Sequence, residues 1–221
     1  MKVIENLYSA FKDVSKPSIL DACDHCMPIE DQKTLLGQSL ETTDPAILWH
    51  YIGDAIWTVG DGSDFKYFVP RLLDLGLTAY DYGDFTGNFI AFPETFGKKL
   101  ALADFDTWDK AKHDVVDDAI LTIMTEEAHR GDFYNFEGWM CAICYVDLDK
   151  TRYLNFLDSK AGEAAREYFL VSHRNAYDYG RMEGPFWDEL DVKKTSVVFN
   201  WLLERKEESD IALGRHRRSR R

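Results

Sequence analysis

Apolar residues recur at three- and four-residue steps along most of this chain, which is the spacing of one face of an α-helix. The clearest case follows Pro45, where seven apolar residues keep this spacing: Ile47, Leu48, Tyr51, Ile52, Ala55, Ile56 and Val59. Thr43 or Asp44 is placed to cap this helix at its start. Gly60 is placed to end it. Patterns of alternating apolar and polar residues are scarce, so the sequence predicts an all-α protein.

The same spacing predicts further helices in the rest of the chain. They lie at about residues 3–16, 28–37, 65–76, 106–131, 133–146, 151–157, 161–179 and 192–207. Pro70 is expected to start a turn in the helix at 65–76 or to kink it. Short connections favour antiparallel helix hairpins, packed as an irregular bundle or a HEAT-like array, although no repeated consensus marks the hairpins. We expect one domain over residues 1–208 and a flexible basic tail over residues 209–221.

The composition is that of a globular chain outside the membrane. The 221 residues are 45% hydrophobic and 29% charged, with a mean hydropathy of −0.36. The longest apolar run, Trp139 to Val146, is far shorter than the roughly 20 residues that cross a bilayer. The N-terminus has no signal-peptide block. We therefore expect a cytoplasmic protein without a membrane partner.

Charge is distributed unevenly along the sequence. The chain has 26 Lys and Arg against 39 Asp and Glu, a net charge of −13, yet residues 214–221 hold five Arg and no acid. The rest therefore has 21 basic against 39 acidic residues, a net charge of −18. Such a body repels nucleic-acid phosphates and attracts a basic protein, although solubility alone also explains it. This argument disfavours nucleic-acid binding except through the tail from Arg215 to Arg221.

All four cysteines fall in two Cys-x-x-Cys pairs, Cys23 with Cys26 and Cys141 with Cys144. Two such pairs can complete a tetrahedral zinc site. Against this, the second pair lies in an apolar run, where cysteine behaves as a small core residue. The first pair lies in a polar loop together with His25 and precedes a predicted helix, so it is a candidate for metal binding or thiol redox chemistry. The alternative is that the loop is reduced and its thiols have no chemical role. In that case the protein has no cofactor.

An aromatic-rich segment at residues 76–98 is predicted to be irregular, with a helix starting at Pro93. Aromatic residues at this density either fix a loop to the core or line a groove. As a groove, the segment gives candidate partner-binding residues: Tyr80, Asp81, Tyr82, Asp84 and Phe85. An unfamiliar active site that uses Asp81 or Asp84 is a further alternative.

Known catalytic motifs are absent from the sequence. Glu126-x-x-His129 has the spacing of a di-iron ligand pair, but such sites need this motif twice and further glutamates. His113 and Asp117 lie four residues apart, and such a pair is usually found on the solvent-exposed face of a helix. Metalloprotease, nucleophile-elbow, phosphate-loop and dinucleotide-binding patterns do not occur.

Two neighbouring segments are similar to a known pattern. Residues 56–61 read Ile-Trp-Thr-Val-Gly-Asp, and residues 64–75 read Asp-Phe-Lys-Tyr-Phe-Val-Pro-Arg-Leu-Leu-Asp-Leu. They resemble the Thr-Trp-Gly-Asp turn and the Asp-Phe-x-x-Phe-Leu-Pro-Arg-Leu-Leu-Glu-Leu segment of a family of uncharacterised bacterial cytosolic proteins. An upstream Cys-x-x-Cys loop, here at residues 23–26, belongs to the same pattern.

The resemblance extends to residues 137–143 and 198–202, and the chain departs from the family in placing Trp57 two positions earlier relative to Gly60. The resemblance implies a helical fold and a bacterial origin. It supplies no catalytic residues.

The leading functional hypothesis from the sequence is a non-enzymatic helical protein that binds another, basic protein, as a toxin-neutralising immunity protein does. The acidic body and the density of aromatic residues are the grounds for it. The alternative is a zinc-binding or thiol redox protein that uses Cys23, His25 and Cys26.

Overall fold

The fold is all-α, as the periodicity predicts. The computed structural model describes the backbone of residues 2–78, 81–82, 85–86, 90 and 93–219, and the side chains of residues 2–78, 90 and 93–212. The α-helices are α1 (Lys2–Ala10), α2 (Ile29–Gly37), α3 (Pro45–Asp54), α4 (Gly62–Thr78), α5 (Pro93–Leu102), α6 (Lys110–Arg130), α7 (Phe133–Tyr145), α8 (Lys150–Asp158), α9 (Glu163–Ser172), α10 (Ala176–Tyr179), α11 (Val192–Leu203) and α12 (Lys206–Ser219). Short 3-10 turns lie at Leu40–Thr42 and Phe105–Thr107. One antiparallel hairpin, β1 (Asp81–Tyr82) with β2 (Phe85–Thr86), lies between α4 and α5.

The chain divides into two compact units, which we call unit 1 (Met1–Ile123) and unit 2 (Met124–Arg221). Unit 1 has 21 Asp and Glu against 10 Lys and Arg, a net charge of −11, whereas unit 2 has 18 against 16, a net charge of −2. The acidic character of the sequence is therefore concentrated in unit 1. The expected domain limit at residue 208 falls within α12, and the flexibility of the tail stays a prediction.

Helix α4 lies at the centre of unit 1. It packs against α1, α5 and the 3-10 turn at Leu40–Thr42. Its buried apolar side chains are Phe65, Phe68, Val69, Leu72, Leu73 and Leu75. Pro70 does not start a turn, because α4 continues through it from Gly62 to Thr78, and the alternative prediction of a kink stays a prediction. Proline removes one hydrogen bond of the helix, and the burial of Pro70 in the core offsets that loss.

Reciprocal capping explains why α4 begins where it does. The Asp61 Oδ1 atom accepts hydrogen bonds from the backbone N–H groups of Ser63 at 2.8 Å and Asp64 at 3.1 Å. The Asp64 Oδ2 atom accepts in return from the backbone N–H of Asp61 at 3.1 Å. Two side chains thus pair the backbone donors that a helix N-terminus leaves free.

A polar clamp fixes α4 to its neighbours. The Asp74 Oδ2 atom accepts hydrogen bonds from the Tyr8 hydroxyl on α1 and from the Arg71 Nη1 atom, both at 2.8 Å. Arg71 also donates to the carbonyl of Thr43 through Nε at 3.3 Å and Nη2 at 3.2 Å. Burial raises the pKa of Tyr8, and the Asp74 carboxylate adds to this effect. Arg71 and Asp74 therefore have a structural role.

Helix α3 is shorter than its sequence pattern predicts. Asp44 caps its start, as expected, by accepting a hydrogen bond from the Ala46 N–H at 2.7 Å. The helix ends at Asp54, not at Val59. Beyond it, the N–H groups of Trp57, Thr58 and Val59 all point to the Asp54 carbonyl, at 3.1, 3.0 and 3.3 Å. Residues 55–60, which we call the Trp57 turn, therefore replace the predicted last turn of α3.

Unit 2 is built around α9, which packs against α7, α8 and α12. The largest buried side chains of unit 2 are aromatic: Phe136, Trp139, Tyr153, Phe169 and Trp187. The predicted helix at 161–179 is interrupted, since α9 ends at Ser172 and the short helix α10 follows it. None of the helices in the described part of the chain combines the length and the hydropathy that crossing a bilayer requires.

Candidate functional site

The first Cys-x-x-Cys pair lies in a tight turn in front of α2, which we call the thiol turn (residues 23–26). The N–H of Cys26 donates to the carbonyl of Cys23 at 2.9 Å, and the N–H of Met27 donates to the same carbonyl at 3.0 Å. A turn closed by a hydrogen bond between its first and fourth residues brings their Cα atoms within about 7 Å. That separation is close to the range that a disulfide spans. Cys23 is exposed and Cys26 is partly buried, and both are free thiols.

The backbone of the Trp57 turn holds the segment that leads into the thiol turn. The N–H of Gly60 donates to the carbonyl of Asp21 at 2.8 Å, and the N–H of Cys23 donates to the carbonyl of Thr58 at 3.4 Å. Ala22 and Val59 form the antiparallel bridge between these two hydrogen bonds. The cysteine loop and the Trp-containing turn, two separate parts of the pattern noted in the sequence, are therefore paired in space.

The local environment favours the thiolate form of Cys23. The backbone N–H groups of Cys26 and His25, and then the thiol of Cys26, lower the pKa of Cys23 below its ordinary value. Burial and the negative charge of Asp24 act in the opposite direction. Because the thiolate is the nucleophilic form of cysteine, an exposed sulfur in this setting is suited to attack an electrophilic sulfur.

A buried lysine contacts the Trp57 turn and the end of α3. The Lys99 Nζ atom donates to the carbonyls of Ala55 at 2.7 Å and Gly53 at 3.1 Å, at the end of α3. It also lies 4.0 Å from the centroid of the Trp57 ring, a cation–π contact. Burial lowers the pKa of Lys99 to about 8, with the charge of Asp54 opposing this shift.

The Trp57 turn is also strained. Ile56 has a φ of +69°, in the left-handed region that β-branched residues avoid. Trp57, the next residue, keeps 50% of its surface exposed. Strained backbone persists only where the surrounding structure enforces it, and here the contacts of Lys99 do so.

The second cysteine pair has the opposite environment. Cys141 and Cys144 are buried on α7, where their thiols donate to the carbonyl of Phe186 at 2.7 Å and of Met140 at 3.4 Å. Burial raises the pKa of Cys144 to about 12. These two cysteines therefore pack as core residues, which is the alternative that their apolar run indicates.

The zinc site stays a prediction. Its predicted ligands were Cys23, His25, Cys26, Cys141 and Cys144. Within the described ranges, no group of three or more His, Cys, Asp or Glu side chains is placed to hold a metal ion. In the thiol turn, Cys23 and His25 are exposed and Cys26 is partly buried.

The predicted partner-binding residues fall largely beyond what can be described. Tyr80 and Asp84 lie outside the described residues. For Asp81, Tyr82 and Phe85 the structure gives the backbone alone, in which Asp81 pairs with Thr86 and Tyr82 with Phe85. The role predicted for this segment therefore stays a prediction.

A buried polar cluster in unit 2 was not anticipated from the sequence. The Glu137 Oε1 atom on α7 accepts a hydrogen bond from the Trp187 indole N–H at 3.3 Å and lies 3.2 Å from the His173 Nε2 atom. All three residues are buried, and the His173 ring packs against Phe169 in a tilted arrangement with 4.4 Å between centroids. The one available signal was a carboxylate next to an apolar run, since a buried acid needs a partner. The cluster ties α7 to α9 and to the segment before α11.

Comparison with protein-family models, with curated proteins and with solved structures finds no match for this chain. The case for a function therefore depends on the geometry of the thiol turn and on the charge of unit 1.

Proposed function

We propose that the protein carries out thiol–disulfide exchange at Cys23 and Cys26. The observation that supports this most is the setting of Cys23, which is exposed and whose pKa is lowered by the neighbouring N–H groups of Cys26 and His25. The buried pair on α7 lacks both properties. A reducing compartment such as the cytoplasm, our proposed location, would keep Cys23 and Cys26 in the reduced form from which the reaction starts.

The reaction has two steps, and both use groups of the thiol turn. The Cys23 thiolate attacks one sulfur of a substrate disulfide, whose S–S bond breaks, so that a mixed disulfide forms and the released thiolate takes up a proton. Cys26 then loses its proton and attacks the Cys23 sulfur, which releases the second substrate thiol. Two electrons pass from the two cysteines to the substrate, and a Cys23–Cys26 disulfide remains. A low-molecular-weight thiol can reduce it by the reverse exchange.

Reaction of the reduced full-length protein with oxidised glutathione, followed by peptide mass spectrometry, tests the proposal. We expect a Cys23–Cys26 disulfide in the wild type and a stable glutathione adduct at Cys23 in Cys26→Ser. Cys144→Ser is the matched control, and it should react as the wild type does. An adduct that forms first at another cysteine, or a Cys23→Ser variant that reacts at the wild-type rate, would contradict the proposal.

The concentration of charge in unit 1 favours a second candidate function, the binding of a basic protein partner. A net charge of −11 in unit 1 attracts a basic surface, as it would in an immunity protein that neutralises a basic bacterial toxin. This candidate does not use the cysteines, so Cys23→Ser should leave it unaffected.

Affinity capture from the native host at low and at moderate salt tests the second candidate. We expect a stoichiometric basic partner whose capture is lost when exposed unit 1 acids are neutralised in Glu41→Gln with Asp104→Asn. The matched control neutralises exposed acids of unit 2, in Glu163→Gln with Asp210→Asn. Capture that is equal in both double variants, or the absence of a stoichiometric partner, counts against this function.

A further inference from the structure

The backbone of Ala22 presents an open strand edge beside the proposed nucleophile. The hydrogen bonds from Gly60 to Asp21 and from Cys23 to Thr58 flank the pair Ala22 and Val59. In an antiparallel ladder, a residue pair between two such bonds is the non-hydrogen-bonded pair. The N–H and C=O groups of Ala22 therefore point away from Val59. Neither of them has a hydrogen-bond partner in the described parts of the chain.

The surroundings of this edge leave room for another strand. Asp21 and Cys23 are exposed on either side of Ala22, which is itself partly exposed. Ile19, which precedes Asp21 by two residues, has 75% of its surface exposed. An unpaired edge with exposed neighbours is a template for an additional strand, and main-chain hydrogen bonds supply the affinity in this mode of recognition.

Building on the proposed thiol–disulfide exchange, we propose that the substrate is a disulfide in an extended polypeptide, which pairs as a strand with Ala22. Pairing at Ala22 brings a substrate cysteine next to Cys23, the following residue. Asp21 and Asp24 are exposed at this edge, so basic residues beside the substrate cysteine complement it. A basic segment next to Asp24 also offsets the charge that opposes thiolate formation at Cys23.

Amide hydrogen exchange at Ala22 in a trapped mixed disulfide tests the pairing. The Cys26→Ser variant is joined through Cys23 to a lysine-flanked single-cysteine peptide in one sample and to cysteamine in the other. We expect the exchange of the Ala22 N–H to slow by about ten-fold or more in the peptide adduct alone, the effect of a hydrogen bond worth about 1.4 kcal/mol. The Val59 N–H, which already donates to Asp54, serves as the internal control.

Backbone methylation of the peptide gives a second measurement that does not alter the protein. Successive residues of a strand direct their N–H groups to opposite sides, so every second residue shares a side. Methylation of one alternate set of nitrogens should therefore slow mixed-disulfide formation at Cys23, whereas methylation of the other set should not. A glutamate-flanked peptide should also react more slowly than the lysine-flanked peptide.

The results separate the two levels of the proposal. Adducts that form at Cys23 with unchanged Ala22 exchange, and with equal rates for both methylated sets, overturn the strand pairing and leave the exchange chemistry intact. A Cys23 that forms no adduct with either the peptide or cysteamine overturns the proposed function together with this inference.

Discussion

Cys23 and Cys144 have the same side chain in opposite surroundings. Cys23 is exposed, and neighbouring backbone N–H groups lower its pKa. At Cys144, burial raises the pKa to about 12 and the thiol donates to the carbonyl of Met140. The Cys-x-x-Cys spacing is the same in both pairs, so the difference in reactivity comes from the tertiary structure around each pair.

Removing the charge of Asp24 should make Cys23 more reactive. Asp24 raises the pKa of Cys23, so Asp24→Asn is expected to lower that pKa further and to increase the thiolate fraction near neutral pH. The pH dependence of Cys23 alkylation measures this. Glu30→Gln is the control, because Glu30 already pairs with Lys33 at 2.9 Å, and it should leave the profile unchanged. An Asp24→Asn profile equal to that of the wild type would refute this account of the site.

Lys99 should give the stability of the protein a distinct pH dependence. Its folded pKa of about 8 lies below the ordinary lysine value of about 10.4. Between these values the unfolded chain holds a proton that the folded protein has released, so the contribution of Lys99 to the free energy of unfolding rises with pH. Denaturant titrations from pH 8 to 10 give the free energy of unfolding at each pH. The slope of this free energy against pH should be steeper in the wild type than in Lys99→Met, by the equivalent of up to about one bound proton. Equal slopes would show that Lys99 titrates at its ordinary value.

At the scale of elements, the sequence predicts helices well where local signals determine their ends. The predicted cap at Asp44 and the helix start at Pro93 are observed. The prediction of a helix is wrong for residues 55–60. Lys99 lies on a helix more than forty residues further along the chain, and it donates hydrogen bonds to the carbonyls of Gly53 and Ala55, which a continuing helix would use itself. Periodicity contains no information on such a distant partner.

The same limit applies to the candidate site. The Cys23–Cys26 spacing marks the thiol turn in the sequence, but the pairing of Ala22 with Val59 is a tertiary contact that no local pattern records. The buried contact of Glu137 with Trp187 likewise joins residues fifty positions apart. Sequence reasoning therefore finds reactive residue types, whereas their surroundings come from the fold.

The start of α4 provides a test of the capping geometry. Gly60 has a φ of +65°, and an added Cβ would lie 2.7 Å from the Asp64 Oδ2 atom. We expect Gly60→Ala to lower the free energy of unfolding by about 1–2 kcal/mol through the backbone and by about 1 kcal/mol more through the displaced cap. Gly131→Ala is the matched control, because its φ is +79° but no atom lies within 4 Å of the added carbon. Denaturant unfolding should show the larger loss for Gly60→Ala, and equal losses would contradict this account.

At the scale of the whole molecule, the net charge of −13 conceals the difference between the two units. Unit 1 contains both the excess of acid and the thiol turn, whereas unit 2 is nearly balanced and keeps its cysteines in the core. A basic polypeptide attracted to unit 1 would therefore approach the unit that carries Cys23. The two proposed functions place their ligands on the same unit for different physical reasons.

The pH dependence of alkylation at Cys23, followed by peptide mass spectrometry on the folded full-length chain, tests the central claim most directly. Cys144 is the internal comparison in the same sample. The account predicts that labelling of Cys23 reaches half its maximal rate below the ordinary cysteine value of about 8.5, while Cys144 stays unlabelled over that range. A Cys23 rate that rises only at or above that value, or that matches the rate at Cys144, would contradict it.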